Sequence, residues 1–517
     1  MRPAENNTRT IARNSFWNAV EVFSGMAATT LTAVLIARVI GKDSLGQARL
    51  GSYQYIVTLT SFTLVVGTLG LPATTRKYMA EYLNRGEAGV ARALYLTTLK
   101  IQSGIAFGVA ALGLVAAFWL APPQYVAPAV LLVTAMVPRL IGYVPSSANS
   151  AAEAFQRNTA PGLVGAMVTI VLTIFGLLAG WEFIGLSAAI LAGSVLECVW
   201  KLRTVERWMA GIVPAAVTPE LRRRIFTYSG QGLTLLVLNI VVWDRSDVLV
   251  LQAMNPDTRQ ILFFSTAFNL AERALMIPAM FGGSLALTMM AQYGRGHARL
   301  KEMTVDGTRY ALLVGMPLLV GMACLSPIVV LLYGKSWGPL IPTLAIVAVL
   351  AIPKVFVSAP TMLLQTTERQ GFLILCGCLC GAIDIGLDIL LVPHYGANGA
   401  AIANGTAQLM AAVGVWTYVC KTSDIQLKIG DFGRIVVSGA MMALGVLAFI
   451  RAVPGTAGMF AAIGVGAVLW VIALRITRAL GPEDVSRFVS LGGQFPAAFR
   501  PYWKRLIAWL APQADTA

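Results

Sequence analysis

The residues best suited to chemistry are charged side chains that lie inside long apolar segments. In a bilayer each such charge costs roughly 2.5–3.5 kcal/mol on insertion scales unless it faces a water-filled cavity or an opposite charge. The basic residues of this kind are Lys100, Arg139, Arg245, Arg273 and Lys354, and the acidic ones are Glu21, Glu197, Asp244, Asp247, Glu272, Asp384 and Asp388. The sequence therefore predicts polar sites inside an otherwise apolar protein.

Two of the basic residues share a local context. Arg139 directly follows Pro138, and Lys354 directly follows Pro353, about 215 residues later. A proline loosens a helix, and one cation from each half of the chain would suit a phosphate or an acidic sugar in a shared cavity. Alternatively, both side chains lie near helix ends and extend to the membrane interface. The predicted cavity cations are Arg139, Lys354, Arg273, Arg245 and Lys100.

The carboxylates form two spaced pairs. Asp244 and Asp247 are three residues apart, and Asp384 and Asp388 are four apart on one helix face. Like charges at this spacing can hold a proton or a cation, so these four residues, with Glu21, are predicted to act in gating or ion coupling. One alternative is that the opposite charges of the seventh segment and of Glu272 and Arg273 in the eighth simply neutralise each other. For Asp384 and Asp388 the alternative is a water-exposed helix face.

The composition defines the elements that must position these side chains. Hydrophobic residues make up 57% of the 517 residues and charged residues 12%, against about 45–50% and 25% in soluble domains. This excludes a secreted disulfide scaffold, a nucleic-acid-binding domain and a classical soluble enzyme. With about 20 residues per crossing, fourteen membrane helices are predicted, at 14–40, 46–70, 93–120, 125–149, 160–180, 184–200, 227–254, 260–290, 309–333, 338–365, 371–392, 396–420, 433–451 and 457–477.

The positive charges predict the orientation. Most of the 39 Lys and Arg residues fall in the termini and in the even-numbered loops, and cytoplasmic loops are the ones that retain such charges. Both termini are therefore expected in the cytoplasm, and the net charge of +15 is assigned to a membrane surface rather than to nucleic acid. The first apolar segment is interpreted as a membrane helix, because it is too long for a signal peptide.

Cysteine and histidine usage gives no sign of a metal site. The six cysteines lie inside or beside apolar segments, and there are only two histidines, so neither a disulfide framework nor a metal or other cofactor is expected. The external loops are short, and no catalytic domain is expected.

An internal repeat organises the chain. Met-Ala-Glu-Tyr at 79–82 recurs as Met-Ala-Gln-Tyr at 290–293, and Arg157 is matched by Arg369 at nearly the same offset. Two six-helix lobes of the same orientation, related by an axis along the membrane normal, are predicted. The predicted domains are a cytoplasmic segment at 1–13, an N-lobe at 14–208, a basic linker at 209–226, a C-lobe at 227–420, two added helices at 433–478 and a cytoplasmic tail at 481–517. The tail is interpreted either as an amphipathic helix on the inner leaflet or as a frayed basic segment.

Several landmarks carry a family resemblance. The first helix ends in Ala-Arg-Val-Ile-Gly at 37–41, Asp247 is followed by Phe-Ser-Thr-Ala at 264–267, and Pro-His-Tyr-Gly-Ala-Asn-Gly-Ala-Ala stands at 393–401. This pattern resembles the polysaccharide transport family, the Wzx-type flippases of the multidrug/oligosaccharidyl-lipid/polysaccharide (MOP) exporter superfamily. The motifs are structural and run over nearly the whole chain.

The resemblance implies a two-lobed fold that alternates between inward and outward openings. It implies translocation of undecaprenyl-diphosphate-linked oligosaccharides across the bacterial inner membrane, for O-antigen, capsule or exopolysaccharide assembly, alongside a polymerase and export machinery. One alternative is a lipid II flippase, although the arginines in the first helix of those proteins are absent here, where Glu21 occupies the span. Others are a cation-coupled multidrug exporter and, less favoured, a membrane-embedded polymerase.

Overall fold

A computed structural model describes residues 4–216, 218–239, 246–292, 297–367, 369–427 and 429–481, together with 484, 505 and 509. The regular secondary structure of these residues is entirely helical, and ten helical stretches are long and apolar enough to cross a membrane. All fourteen predicted segments contain helix, which confirms the predicted all-α membrane fold. The chain divides into two compact units, Met1–Gln252 with Pro256–Leu262, and Ala253–Asn255 with Phe263–Ala517.

The first unit, unit 1, is built from the N-terminal helices. They are α1 (Ala4–Val39), α2 (Ser44–Gly67), α3 (Leu71–Asn84), α4 (Ala88–Leu120), α5 (Val126–Ala151), α6 (Gln156–Leu178), α7 (Glu182–Trp208), α8 (Pro219–Asn239) and most of α9 (Ser246–Met254). Small residues let α6 and α7 approach closely, since a side chain at Gly176 would clash with the backbone of Gly185.

The segment 71–92, interpreted from sequence as a loop, contains helix α3. Gly70 takes a left-handed conformation (φ 69°) that ends the preceding turn, and Pro72 then starts the helix. Tyr78 and Met79 of α3 are buried in one apolar cluster with residues of α4, α5, α7 and α8. Amphipathic packing of this kind is invisible to a search for uniformly apolar segments.

Helix α8 belongs to unit 1 because it packs on α3. The hydroxyls of Thr74 and Ser229 lie 2.7 Å apart, and the rings of Tyr78 and Tyr228 meet edge to face. The second half of the predicted linker at 209–226 is therefore helical. The boundaries of the two predicted lobes remain a prediction.

The second unit, unit 2, contains the remaining helices. They are α10 (Arg259–Gln292, whose first turn belongs to unit 1), α11 (His297–Cys324), α12 (Ile328–Tyr333), α13 (Leu340–Leu350), α14 (Ile352–Thr366), α15 (Gln370–Tyr395), α16 (Ala397–Ser423), α17 (Ile429–Ala452) and α18 (Thr456–Ile476). Leu312, Met316 and Leu319 of α11 form a core with α17 and α18. The two helices after the predicted repeat are thus integral to unit 2.

Two predicted segments are each divided by a proline. The segment 309–333 breaks between α11 and α12 at Pro327, and 338–365 breaks at Ala351 between α13 and α14. Pro353 occupies the first turn of α14, where its missing N–H has no cost. The helix break therefore places Lys354 in the first turn of a new helix.

Candidate substrate site

A polar pocket inside unit 2 contains one of the predicted cavity cations. Lys354 of α14 is half-buried, and its Nζ lies 4.7 Å from the ring centre of Phe268 on α10. At this distance the ring face attracts the ammonium group. Glu272, one turn further along α10, also lines the pocket. One cation and one carboxylate thus share the same lining.

Two buried amides on α16 form the opposite wall. Asn404 and Gln408 are only 5% and 4% exposed, and Gln408 Nε2 donates a hydrogen bond to Asn404 Oδ1. Gln408 Oε1 has no hydrogen-bond partner among the described residues. Leaving such an acceptor unsatisfied costs roughly 1–3 kcal/mol, so this oxygen is suited to a donor such as water or a sugar hydroxyl. The free volume of the pocket is about 10 Å³, the space of a single water molecule.

An apolar groove of about 430 Å³ lies in the same unit. It is lined by Leu270 of α10, by residues of α11 and α12, by Leu344 of α13, and by residues of α17 and α18, among them Met442 and Ile463. Helices α10 and α13 contribute to both the pocket and the groove. Unit 2 therefore offers a polar and an apolar surface on the same two helices.

The predicted carboxylate pair lies on the buried face of α15. Asp384 and Asp388 are both completely buried, and they follow Cys376 and Cys380 along one stripe of the helix. Neither carboxylate oxygen of Asp388 has a hydrogen-bond partner in the described residues. The water-exposed alternative is therefore wrong for these side chains. A fully buried carboxylate in this state needs a proton or a cation.

The remaining predicted site residues are placed individually. Arg139 of α5 and Lys100 of α4 are exposed on unit 1, and Asp247 of α9 is buried there. Arg273 is half-buried on α10, near Tyr333. Glu21 lies in α1, but its side chain, like Asp244 and Arg245 as a whole, is outside the described residues.

Helix α7 contains an ion pair between a buried lysine and a partly exposed glutamate. Lys201 follows the predicted membrane segment 184–200 and was therefore expected in a loop, but it lies in α7. Its side chain is 7% exposed, and its Nζ lies 2.6 Å from Glu197 Oε1. Their i, i+4 spacing is the signal that identifies the pair in the sequence. Asn404 and Gln408 share that spacing, but they lie in a segment rich in Ala and Gly, where uncharged amides do not stand out.

The fold, rather than the sequence, connects this chain to known proteins. No protein-family model and no curated protein sequence matches it. The lipid II flippase MurJ in an inward closed conformation matches with a TM-score of 0.69 and 14% identity, over 89% of this chain and 98% of that one. An inward-facing MATE family multidrug resistance transporter matches with a TM-score of 0.67 and 14% identity, over 77% of this chain and 94% of that one.

A further neighbour is a MOP superfamily transporter from Pyrococcus furiosus, with a TM-score of 0.62 and 15% identity over 80% of this chain and 95% of that one. These neighbours are transporters and flippases rather than enzymes. The chain is thus a multi-pass membrane protein with the fold that flippases and transporters of the MOP superfamily share.

Proposed function

We propose that this protein is a flippase for lipid-linked oligosaccharides in the bacterial inner membrane. The observation that carries the proposal is that helices α10 and α13 line both a polar pocket and an apolar groove in unit 2. A substrate with a polar head on a long apolar chain fits both surfaces together. A small soluble substrate would have no use for the groove.

The polar pocket suits a charged sugar head. Lys354 supplies a cation for a diphosphate or an acidic sugar, and the free oxygen of Gln408 supplies an acceptor for a hydroxyl. Because the free volume of the pocket is only about 10 Å³, the head group enters only after the lining moves apart, as alternating access requires. Arg139, Lys100, Arg273 and Arg245 are proposed as further cations along the path.

The proposed coupling site is the pair Asp384 and Asp388. Two completely buried carboxylates one turn apart repel each other unless a proton or a metal cation is shared between them. Binding and release of that cation would couple an ion gradient to the conformational change. Asp247, Asp244 and Glu21 are proposed to assist in gating.

The proposed pathway is O-antigen, capsule or exopolysaccharide assembly, with both termini in the cytoplasm and a polymerase and export machinery as partners. A second candidate, a lipid II flippase, is favoured by the match to MurJ over 89% of this chain, against 77–80% for the multidrug transporters. Both candidates share a diphosphate-linked polyprenyl substrate, so the same site serves either.

The first test replaces the pocket cation. Loss of a charge-assisted hydrogen bond costs about 1.5–3 kcal/mol, so Lys354→Gln should lower transport about 10- to 150-fold in cells that depend on this chain. Lys335→Gln, an exposed lysine in the turn before α13, is the matched control. Surface glycan and accumulated lipid-linked oligosaccharide are measured at equal protein level. Normal glycan with altered sensitivity to cationic drugs would refute the proposal and favour a multidrug exporter.

A companion variant tests the groove. Gly321 of α11 lines it, and a Cβ built there meets no atom within 4 Å, so Gly321→Leu fills the groove without straining the packing. Gly464→Leu is the control, because Gly464 of α18 is exposed and equally open around its Cβ. We expect transport to fall in Gly321→Leu only. Equal transport in both variants would show that the groove holds no part of the substrate.

A further inference from the structure

A second cavity of unit 2 lies at the end of its helices where α11 and α15 begin and α14 and α16 end. Its volume is about 310 Å³. Two cations line it, Lys301 from the first turns of α11 and Arg369 from the residue that precedes α15. Thr367, Thr422 and Ser423 add hydroxyl groups, and Leu300 and Leu363 add an apolar wall. None of these residues belongs to the pocket or the groove described above.

Among the described residues, the contacts that hold the two cations are long. Arg369 Nη1 lies 3.4 Å from the carbonyl oxygen of Thr422, and Lys301 Nζ lies 3.4 Å from that of Asp424. Charge-assisted hydrogen bonds are normally about 2.7–2.9 Å long. Asp424 is the one carboxylate among the described lining residues; its side chain is 94% exposed, and its Oδ2 is 3.9 Å from Lys301 Nζ. Both cations can therefore turn toward a stronger anionic partner.

The backbone adds to the positive potential. Helix α15 begins at Gln370, and its N-cap residue Arg369 gives no side-chain cap. The first N–H groups of a helix carry a partial positive charge and favour an anion. The start of α15 thus adds its dipole to the two side chains at one side of the cavity.

We propose that this cavity binds a phosphate group. The apolar wall and the cavity volume fit the phosphate and glycerol of a phospholipid headgroup, and a free phosphate ion offers the same recognition chemistry to the cations. The three segments that form the cavity belong to predicted cytoplasmic loops, where basic pockets between membrane helices bind anionic headgroups. The site is independent of the proposed transport function.

The test measures binding to the purified full-length protein in a neutral detergent. The ligands are short-chain phosphatidylglycerol, short-chain phosphatidylcholine and inorganic phosphate. Each basic residue near a membrane surface adds about fivefold to binding of an anionic lipid. The double variant Lys301→Gln with Arg369→Gln should therefore bind phosphatidylglycerol about 25-fold more weakly than the wild type. Lys421→Gln, an exposed lysine on the last turn of α16 that does not line the cavity, should change binding less than twofold.

The ligands identify the source of the phosphate. Weakened binding of phosphatidylglycerol alone assigns the site to a lipid headgroup, and weakened binding of inorganic phosphate assigns it to a free ion. Unchanged binding of both ligands in the double variant, with a normal elution volume and helix content, would overturn the proposal. The single variant Arg369→Gln, expected to lose about fivefold, provides the same answer where the double variant does not fold.

Discussion

A methyl group at Gly51 should release the segment that precedes α10 from its docking place on α2. The hydroxyl of Thr258 donates a 2.8 Å hydrogen bond to the carbonyl oxygen of Ala48, and the Thr258 carbonyl lies directly against Gly51. A Cβ at Gly51 would overlap that carbonyl oxygen and lie 2.6 Å from its carbon. Because both partners are backbone atoms, no side-chain rotation can relieve the clash.

Gly51→Ala has two energetic effects, and only one of them changes the docking equilibrium. Overpacking of this kind costs about 1–3 kcal/mol, and it falls only on the docked state. The exchange of Gly for Ala also favours an α-helix by about 1 kcal/mol, but it does so whether or not the segment is docked. The docking equilibrium of Gly51→Ala should therefore shift by about 5- to 150-fold toward release.

Hydrogen–deuterium exchange reports this equilibrium directly. Amides of residues 254–266 should exchange faster in Gly51→Ala by about the same factor, while those of α15 and α16 keep their rates. Gly104→Ala is the control, because Gly104 is also a helical glycine of unit 1 but has open space around its Cβ. Identical exchange at 254–266 in a folded Gly51→Ala protein would refute the inferred close contact. This segment is a predicted external loop. If its docking closes the external opening of the transport path, transport should also fall in Gly51→Ala.

Two further predictions concern the ion pairs of Asp484 and Asp257. Asp484 is nearly fully buried; its carboxylate forms an ion pair with Arg309 Nη2 at 2.7 Å and accepts a hydrogen bond from Tyr310 Oη at 2.9 Å. Asp484→Ala should therefore destabilise the segment after α18 by about 3–5 kcal/mol. Limited proteolysis should then remove the chain end faster than in the wild type, and unchanged cleavage would contradict the pair's role. Burial raises the pKa of Asp257, but hydrogen bonds from Arg259 outweigh burial and hold that pKa below its ordinary value of 3.8. The ionised pair with Arg259 therefore stabilises the folded protein by about 0.2–1 kcal/mol, as expected for a partly exposed pair. This contribution is present above pH 3.8 and is lost as the pH falls through the lowered pKa. In Asp257→Asn, the free energy of unfolding should no longer show this decrease at low pH.

The helical fold was predictable because the membrane imposes a simple rule on the sequence. Every backbone polar group in the hydrocarbon must be satisfied within its own segment, so long apolar runs become helices at the expected places. The rule does not predict α3, whose residues 71–84 are amphipathic and are stabilised by packing of Tyr78 and Met79. It also does not separate α13 from α14, although Pro353 marks the break.

The site was predictable only where it carries charge. Lys354 and Asp388 stand out because an ion in an apolar segment is costly and needs a physical reason. Asn404 and Gln408 carry no charge and lie among Ala and Gly, so nothing in the sequence separates them from helix-packing residues. They are buried because α16 packs against its neighbouring helices, and the sequence does not show that packing.

The contribution of α10 and α13 to both pocket and groove also explains why α17 and α18 matter to the proposed function. Without these helices, the walls formed by Met442 and Ile463 would be missing and the groove would be open to lipid. The same two helices pack in the core around Met316 of α11. The walls that they give to the groove are therefore part of the packed structure of unit 2. A polyprenyl chain held there would stay beside α10 and α13 while its head group enters the pocket on the same helices. The groove that supports a lipid-linked substrate thus depends on α17 and α18 and not on the six helices of the repeat alone.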